Sequence, residues 1–481
     1  MAFNSLAYVL LLGVAGLLFF SAGYRGRLRI LIAASLIFYA AWSVPLVSLI
    51  VISAIVDYCA GRALGREASA GQDDARRRKL ILALSLTVNL GLLAYFKYAN
   101  FFLDNVHEVF GLGEGGWVDV VLPPGISFYT FQTMSYTIDV YRRKIRPTTS
   151  FLRFFLYVSF FPQLIAGPIE RAGNLLVQFD HAANQRFRVE NLVGGGQLIL
   201  WGLFKKVVIA DHCGLLCDQI YADPSMFDGW SALIATYAFT LQIYCDFSAY
   251  SEIARGSARI FGVDLMVNFD QPYLTTNISA FWRRWHISLS NWFRDYVYIP
   301  LGGSKKGKTR TLVNLTITMF LSGLWHGAAW TFVVWGLFHG VLLLLNALLG
   351  ERVRKLVPKL ELFGADLKAL FAWFVTFHLV VLGWVLFRAR DMAQFAEVCR
   401  SIAGSIAGMF SGAGSGPTLE QAAFIGFVFG FVAVSKLGRQ HRVLERIWAG
   451  PVSSVVFASA LVLATVLLGL PEGPAFIYFQ F

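Results

Sequence analysis

Long apolar stretches recur along the whole chain, and only short polar segments separate them. Most are long enough to cross a bilayer, which takes about 17–25 residues of α-helix. The apolar runs are continuous rather than alternating, which favours helices over barrel strands, and a helix satisfies its own backbone hydrogen bonds in lipid. The pattern predicts an all-α, polytopic membrane protein with spans near residues 5–22, 30–60 (two spans bent at Val44-Pro45), 80–98, 121–141, 151–169, 192–211, 231–253, 311–330, 331–349, 369–387, 421–435 and 451–469.

Composition supports a membrane location for these helices. Of the 481 residues, 57% are hydrophobic and only 15% are charged, and the mean hydropathy is +0.59. A soluble domain has about 25% charged residues, so this chain has too little polar surface to cover itself in water. We expect a single membrane domain over residues 1–481. No basic segment precedes the first apolar stretch, so we do not expect a cleaved signal peptide there.

The net charge of +12 comes from basic residues in short loops between the predicted spans. Loops of this kind are enriched in Lys and Arg on the cytoplasmic side of a membrane, which places the N-terminus outside the cytoplasm. No soluble basic face exists to hold a duplex, so nucleic acid is not an expected partner. The basic loops are Arg25, Arg27 and Arg29; Arg76–Lys79; Arg142–Lys144 with Arg146; Lys305–Arg310; and Arg352–Lys355.

One predicted span is expected not to cross the membrane. An odd number of spans, three, separates the basic loops at 142–146 and 283–310, which would put the two loops on opposite sides. Residues 151–169 are the best candidate, because Pro162 and Pro168 interrupt a helix there. Non-helical backbone at membrane depth is tolerated where it lines a cavity. The small-residue-rich segment 401–417 is typical of an outer loop or an interfacial piece.

Polar and aromatic residues are densest between 268 and 340, and this region holds the candidate chemistry. His326 lies in an apolar stretch 16 residues past Arg310, or about 24 Å along a straight helix. Burial disfavours the charged imidazole, so His326 would be neutral and available as a general base. A structural alternative is a histidine that hydrogen-bonds a neighbouring helix.

His286 is the second candidate histidine. It follows Trp282 by four residues, so the two are expected to share a helix face. An aromatic belt with snorkelling arginines is the structural alternative for this segment. A metal site made of His286, His326 and His339 is disfavoured, because no carboxylate or cysteine lies at ligand spacing. The five cysteines form no CxxC pair, and we expect no bound metal or cofactor.

Two further segments carry polar patterns. Residues 302–309 fit the P-loop pattern G-x-x-x-x-G-K-[ST], but that motif requires a preceding strand in a soluble α/β unit. A basic loop between two membrane segments is the better interpretation, and its lysines could still contact phosphates. Residues 244–252 are polar over consecutive turns of a long apolar helix, which indicates a cavity wall that includes Tyr244 and Asp246.

The region 268–340 closely resembles the membrane-bound O-acyltransferase (MBOAT) family, in its bacterial alginate O-acetylase-like branch. The specific motifs are Phe-Trp-Arg-Arg-Trp-His-Ile-Ser-Leu-Ser at 281–290, Tyr-Ile-Pro-Leu-Gly-Gly at 298–303 and Gly-Leu-Trp-His-Gly at 323–327, followed by Trp335-Gly and His339-Gly. Ala249 departs from the glycine that many relatives have in the Asp-Phe-Ser-x-Tyr-Ser segment. Weaker similarity covers residues 96–100, 123–131, 166–169 and 476–481.

The resemblance implies a fold and a site. The fold would be a helical ring with re-entrant segments around a central tunnel. His326 would be the catalytic histidine, and His286 would line the same tunnel. Residues expected to pack around the substrate are Trp282, Trp285, Trp325, Trp330, Asp246 and Tyr244. Residues expected to contact the donor's phosphates are Arg283, Arg284, Arg294, Lys305 and Lys306.

The expected activity is transfer of an acetyl group from cytoplasmic acetyl-CoA to an extracytoplasmic polysaccharide. The enzyme would lie in the bacterial inner membrane and work with a periplasmic or membrane-anchored SGNH-like partner and the polysaccharide synthesis machinery. The sequence leaves the acceptor open among alginate, cellulose, another exopolysaccharide and peptidoglycan. Transfer of D-alanine from a carrier-protein thioester, a transporter and a non-catalytic scaffold are the alternatives.

Overall fold

The computed structural model describes residues 1–69, 74–111, 120–356, 361–362, 365–440, 442–470 and 473–477. These residues are helical apart from connecting segments and one two-residue antiparallel pair, β1 (Glu361–Leu362) with β2 (Ala365–Asp366). The predicted all-α fold class is therefore confirmed. Seven helices among them are long and apolar enough to cross a membrane: Val47–Arg66, Ala75–Phe110, Val189–Ala222, Trp330–Gly350, Leu367–Arg388, Leu419–Gly438 and Pro451–Leu468.

The chain divides into two compact units. The first unit contains Met1–Gly202 and Tyr250–Val267. The helices are α1 (Leu6–Ser21), α2 (Tyr24–Ala40), α3 (Val47–Ser69), α4 (Ala75–Phe110), α5 (Ile126–Tyr141), α6 (Phe151–Ser159), α7 (Ala172–Asn184), most of α8 (Val189–Phe204) and the end of α10 (Gly229–Ile260). Helices α1 and α5 lie close to predicted spans, and the break at Val44-Pro45 falls between α2 and α3 as expected. Helices α3 and α4 continue well beyond the predicted ends, and α7 was not predicted.

The second unit contains Leu203–Ala249 and Asn268–Phe481. A π-helical turn, Lys205–Ala210, continues α8 into α9, and a second one, Arg294–Tyr298, follows α12. The remaining helices are α9 (Asp211–Ala222), α11 (Ile278–Trp282), α12 (Ile287–Phe293), α13 (Lys308–His326), α14 (Trp330–Leu356), α15 (Leu367–Arg388), α16 (Met392–Ser411), α17 (Leu419–Gln440), α18 (Val443–Ala449) and α19 (Pro451–Leu468), with 3-10 turns at Pro224–Met226 and Pro272–Leu274.

The segment 151–169 is interrupted as predicted. Helix α6 has nine residues, so it is about 14 Å long and cannot cross a hydrocarbon core of about 30 Å. The buried non-helical backbone after it is satisfied by protein groups: the Phe161 amide donates to Ser35 Oγ (3.1 Å), and the Gln163 side chain donates to the Tyr157 carbonyl (3.0 Å). The prediction of a loop over 401–417 is wrong for residues 401–411, which belong to α16, whereas residues 412–417 are not helical.

Helices α13 and α14 approach each other closely at two glycines. A Cβ added to Gly323 would lie 2.3 Å from the Phe332 carbonyl oxygen, and one added to Gly336 would lie 2.5 Å from the Met319 carbonyl oxygen. Small residues allow this backbone contact, which dispersion rather than the hydrophobic effect stabilises in lipid. The contact fixes the end of α13, where His326 lies.

We expect Gly323→Ala to destabilise the protein by about 1–3 kcal/mol, because the methyl group forces the two backbones apart. Thermal unfolding in detergent measures the effect. Gly340→Ala on α14 is the matched control, since its added Cβ would lie 3.5 Å from Met319 Cβ, an ordinary contact. Equal shifts for the two variants would contradict the close-approach argument.

Candidate active site

His326 is the last residue of α13, and the helix ends because Gly327 adopts an extended conformation. The imidazole is buried, with 4% of the residue exposed. Its ring centroid lies 5.0 Å from Trp325, 4.9 Å from Trp335 and 5.3 Å from Phe387, each at a steep interplanar angle. The prediction that His326 is buried among tryptophans is confirmed. Its catalytic role stays a prediction.

His286 lies between α11 and α12 rather than within a helix. Helix α11 ends at Trp282, and His286 has φ 42°, a left-handed conformation that is unfavourable for a residue with a Cβ. The prediction that His286 and Trp282 share one helix face is therefore wrong, because the chain turns between them. Strained backbone of this kind is concentrated at functional sites, where the surrounding structure holds it in place.

Asn268 holds the strained turn. Its carbonyl accepts from the Ile287 amide (2.9 Å), and its side-chain oxygen accepts from the amide (3.1 Å) and the hydroxyl (2.9 Å) of Ser288. Phe247 packs edge-on against the His286 ring at 4.7 Å. His286 lies outside the helices long enough to span, and burial lowers its pKa to about 3, so the ring is neutral.

Two tryptophans connect three histidines in the second unit. Trp325 contacts both His286 (5.8 Å between ring centroids) and His326 (5.0 Å). Trp335 contacts both His326 (4.9 Å) and His339 (4.8 Å). The candidate histidines, 40 residues apart in sequence, therefore belong to one cluster. Sequence reasoning missed the role of Trp335, although it lies in the quoted motif.

His339 is fully buried, and neither of its ring nitrogens has a hydrogen-bond partner among the residues that the structure describes. The rings of Trp282 (5.1 Å), Phe281 (6.4 Å) and Phe338 (5.4 Å) surround it. Within the described residues, no group of three or more His, Cys, Asp or Glu side chains is placed to hold a metal ion. His339 is thus a buried polar side chain at the edge of the aromatic cluster.

The residues predicted to pack around the substrate differ in their burial and in their contacts. Trp282, Trp285 and Trp325 are buried, whereas Trp330 is 57% exposed at the start of α14. Tyr244 packs against the rings of Phe269, Tyr273 and Trp285. Asp246 lies in an ion pair rather than on an open cavity wall.

The residues predicted to contact donor phosphates lie on and after the short helices α11 and α12. Arg283, Arg294, Lys305 and Lys306 are exposed, and Arg284 is half-buried. The P-loop-like segment 302–309 follows a π-helical turn and not a strand, so the structure lacks that motif's context there. These five cations can contact a soluble anion, and their assignment stays a prediction.

A buried ion cluster lies beside this site and was not predicted. Lys206 Nζ lies 2.8 Å from Asp211 Oδ1 and 2.9 Å from Asp246 Oδ1, and all three side chains are at most 3% exposed. Lys206 also donates to the Pro474 carbonyl (2.8 Å), and the Ile477 amide donates to Asp246 Oδ2 (2.5 Å). Because Asp246 precedes Phe247, α10 connects this cluster to His286.

Gly383 on α15 provides the space for His339. A Cβ added there would lie 2.8 Å from His339 Nε2. We expect Gly383→Ala to lower kcat for acyl transfer about tenfold with little change in the donor's KM, because it moves His339 and, through Trp335, the ring of His326. If Gly383→Ala acts through His339, then adding it to His339→Ala should lower kcat no further. Multiplicative losses in the double variant would contradict this coupling.

A comparison with known protein families identifies the family of this chain. The sequence model of the membrane-bound O-acyltransferase family matches residues 133–387, more than half of the chain. The chain therefore belongs to the membrane-bound O-acyltransferase family. It is an enzyme, an O-acyltransferase, and the resemblance noted from its motifs is confirmed.

Three relatives with different names illustrate the similarity. The chain is 41% identical over 380 residues to a probable alginate O-acetylase of Pseudomonas aeruginosa, covering 78% of this chain and 69% of the relative. It is 35% identical over 398 residues to a peptidoglycan O-acetyltransferase of Helicobacter pylori, covering 78% and 73%. It is 27% identical over 273 residues to a teichoic acid D-alanyltransferase of Bacillus subtilis, covering 55% and 68%.

Proposed function

We propose that this enzyme moves an acetyl group from cytoplasmic acetyl-CoA for the O-acetylation of an extracytoplasmic polysaccharide. The observation that carries the proposal is the buried His326 between two tryptophans and Phe387. The names of the relatives with higher identity, an alginate O-acetylase and a peptidoglycan O-acetyltransferase, support an acetyl group and a polysaccharide acceptor. The enzyme would lie in the bacterial inner membrane with its N-terminus outside the cytoplasm.

In the proposed reaction a hydroxyl oxygen of the acceptor attacks the carbonyl carbon of the acetyl-CoA thioester. A ring nitrogen of His326 takes the hydroxyl proton as the new C–O bond forms, and it returns the proton to the thiolate sulfur when the C–S bond breaks. A neutral, water-excluded imidazole suits this role, since burial disfavours its charged form in the resting state. The indole and phenyl rings around His326 exclude water from the reacting thioester.

The donor and the final acceptor are contacted by different groups in this proposal. Arg283, Arg284, Arg294, Lys305 and Lys306 would bind the phosphates of the donor, since guanidinium and ammonium groups are the usual phosphate ligands. An SGNH-like partner outside the cytoplasm, working with the polysaccharide synthesis machinery, would complete the transfer to the polymer. No cofactor would be bound, because the donor supplies the activated acyl group.

The test uses purified full-length enzyme in proteoliposomes. Radiolabelled acetyl-CoA is supplied with an SGNH-like acetyltransferase and with alginate oligosaccharide or peptidoglycan fragments as acceptor. The expected result is label on the polysaccharide and free CoA in equal amounts. Label transferred from a D-alanyl carrier protein, with acetyl-CoA untouched, would replace acetyl transfer by D-alanyl transfer. Consumption of neither thioester would reject the proposal.

A further inference from the structure

An open cavity of about 930 Å³ in the first unit is lined by arginines from three separate segments. They come from the second half of α3, the first turn of α4 and the segment that follows α5, which meet at one end of these helices. None of the ten described residues that line the cavity is acidic. The arginines are Arg62, Arg66, Arg78, Arg143 and Arg146.

Arg78 is buried and hydrogen-bonded, so at least one wall of this cavity has a fixed arrangement. Only 5% of the residue is exposed. Its guanidinium donates to the carbonyl of Leu64 (3.3 Å) and to the carbonyl of Tyr141 (2.6 Å), and it lies 5.5 Å from the Tyr141 ring centre. The ends of α3 and α5 are therefore tied to the start of α4 through one arginine, which preorganises the wall.

Gly65 and Pro147 close the same region. A Cβ on Gly65 would lie 2.4 Å from Pro147 Cγ, so α3 and the segment after α5 are in direct contact. This contact fixes the distance between the arginines of α3 and those that follow α5. The cavity size is within the range of about 300–1,000 Å³ that ligand pockets have.

Arg143 is the second observation that points to a ligand. It has φ 59°, in the left-handed region, just after α5. Helices commonly end with a residue in this conformation, and that residue is usually glycine because a Cβ is unfavourable there. An arginine in a strained position at the edge of a basic cavity indicates that its side chain has a use.

Two general effects explain only part of why five arginines lie around this cavity. Cations near the C-terminal ends of α3 and α5 interact favourably with the helix dipoles, and basic loops follow the positive-inside rule. Neither effect requires five guanidinium groups around one cavity or an arginine with positive φ. Like charges brought together in this way repel, and an anion between them offsets that repulsion.

We propose that this cavity binds phosphate groups. The planar guanidinium donates two parallel hydrogen bonds to a phosphate. The Arg78 guanidinium already donates to two backbone carbonyls, so it supports the wall, and the other arginines around the cavity suit an anionic phosphate ligand. The ligand has two sources with the same chemistry: the head group of an anionic phospholipid, or a soluble phosphorylated nucleotide. The inference does not depend on the acetyl-transfer proposal, since these residues belong to the first unit and His326 belongs to the second.

The experiment compares two probes on the purified full-length chain in detergent. One is radiolabelled dioleoylphosphatidylglycerol, with dioleoylglycerol as its uncharged competitor, and the other is adenosine 3′,5′-bisphosphate. The variant is Arg62→Gln/Arg143→Gly. We expect it to bind at least one probe about tenfold or more weakly than the unaltered chain, because each lost charged hydrogen bond is worth roughly tenfold in affinity. Binding should also weaken as salt rises.

The substitutions are chosen so that a loss of probe binding is not caused by a loss of folding stability. Glycine accepts the left-handed conformation at position 143 without strain, so the unfolding midpoint of the variant should be unchanged or higher. Arg29→Gln is the matched control, since Arg29 is an exposed arginine of α2 in the same unit and does not line the cavity. It should bind both probes as the unaltered chain does.

Each outcome decides the proposal. A loss confined to phosphatidylglycerol assigns the site to a lipid head group, a loss confined to the bisphosphate assigns it to a soluble nucleotide, and a loss of both confirms the shared phosphate chemistry. If the variant binds both probes as tightly as the unaltered chain, the proposal is wrong. Equal binding of dioleoylglycerol and phosphatidylglycerol, without bisphosphate binding, also overturns it.

Discussion

Replacing His326 with alanine is expected to lower the rate of acyl transfer by roughly 100- to 10,000-fold, the range that a positioned general base contributes. The imidazole lies between Trp325, Trp335 and Phe387 at the end of α13. The indole nitrogens of Trp325 and Trp335 already carry a hydrogen and only donate, so alanine leaves no group among these neighbours to take the hydroxyl proton. The measurement is release of CoA and labelled product per unit time by the purified variant.

His212→Ala is the matched control for this prediction. His212 is an exposed histidine of α9 in the same unit, so its loss should leave the rate unchanged. Thermal unfolding and tryptophan fluorescence establish that His326→Ala is folded, and His326→Gln keeps a polar group of similar size. If folded His326→Ala retains more than about a tenth of the activity, His326 is not the general base.

The second large effect is on stability. Lys206→Met is expected to destabilise the protein by about 3–5 kcal/mol, because it leaves the carboxylates of Asp211 and Asp246 buried together without their cation. It also removes the hydrogen bond to the Pro474 carbonyl, so the segment 473–477 should become more accessible to an endoprotease. Denaturation in detergent, followed by tryptophan fluorescence, measures the loss.

A variant in which the cluster has no buried charges distinguishes the loss of the ion pairs from the loss of side-chain packing. In Lys206→Met/Asp211→Asn/Asp246→Asn the buried charges are gone, so most of the stability should return. Lys436→Met removes an exposed lysine of α17 and should change stability by less than about 0.5 kcal/mol. A triple variant as unstable as Lys206→Met would show that the lysine stem, and not its charge, stabilises the site.

The helices could be predicted because each depends on a local property. Hydropathy averaged over about 20 residues locates α13, α14, α15 and α19 within a few residues, and the prolines of 151–169 locate the end of α6. Segment 401–417 could not be predicted this way, because small residues are compatible with both a loop and the helix α16 that packing stabilises.

The candidate site could be predicted in part. His326 and His286 are visible in the sequence as histidines in an apolar, tryptophan-rich region with specific family motifs. The left-handed turn at His286 was not visible, because Asn268, 18 residues away, holds it through Ser288 and Ile287. Trp330 and Trp335 look alike in the sequence, and only packing makes one exposed and the other buried.

The sequence by itself therefore determined the all-helical membrane fold class, the interrupted segment, the family and the burial of the two histidines, because apolar length and motif are local quantities. The tertiary structure decided which partners those residues have. Lys206 lies 268 residues from the Pro474 carbonyl that it contacts, and Gly383 lies 44 residues from His339. A buried polar group is stable only with a partner, and the partner depends on which segments pack together, a property that no local stretch of sequence contains.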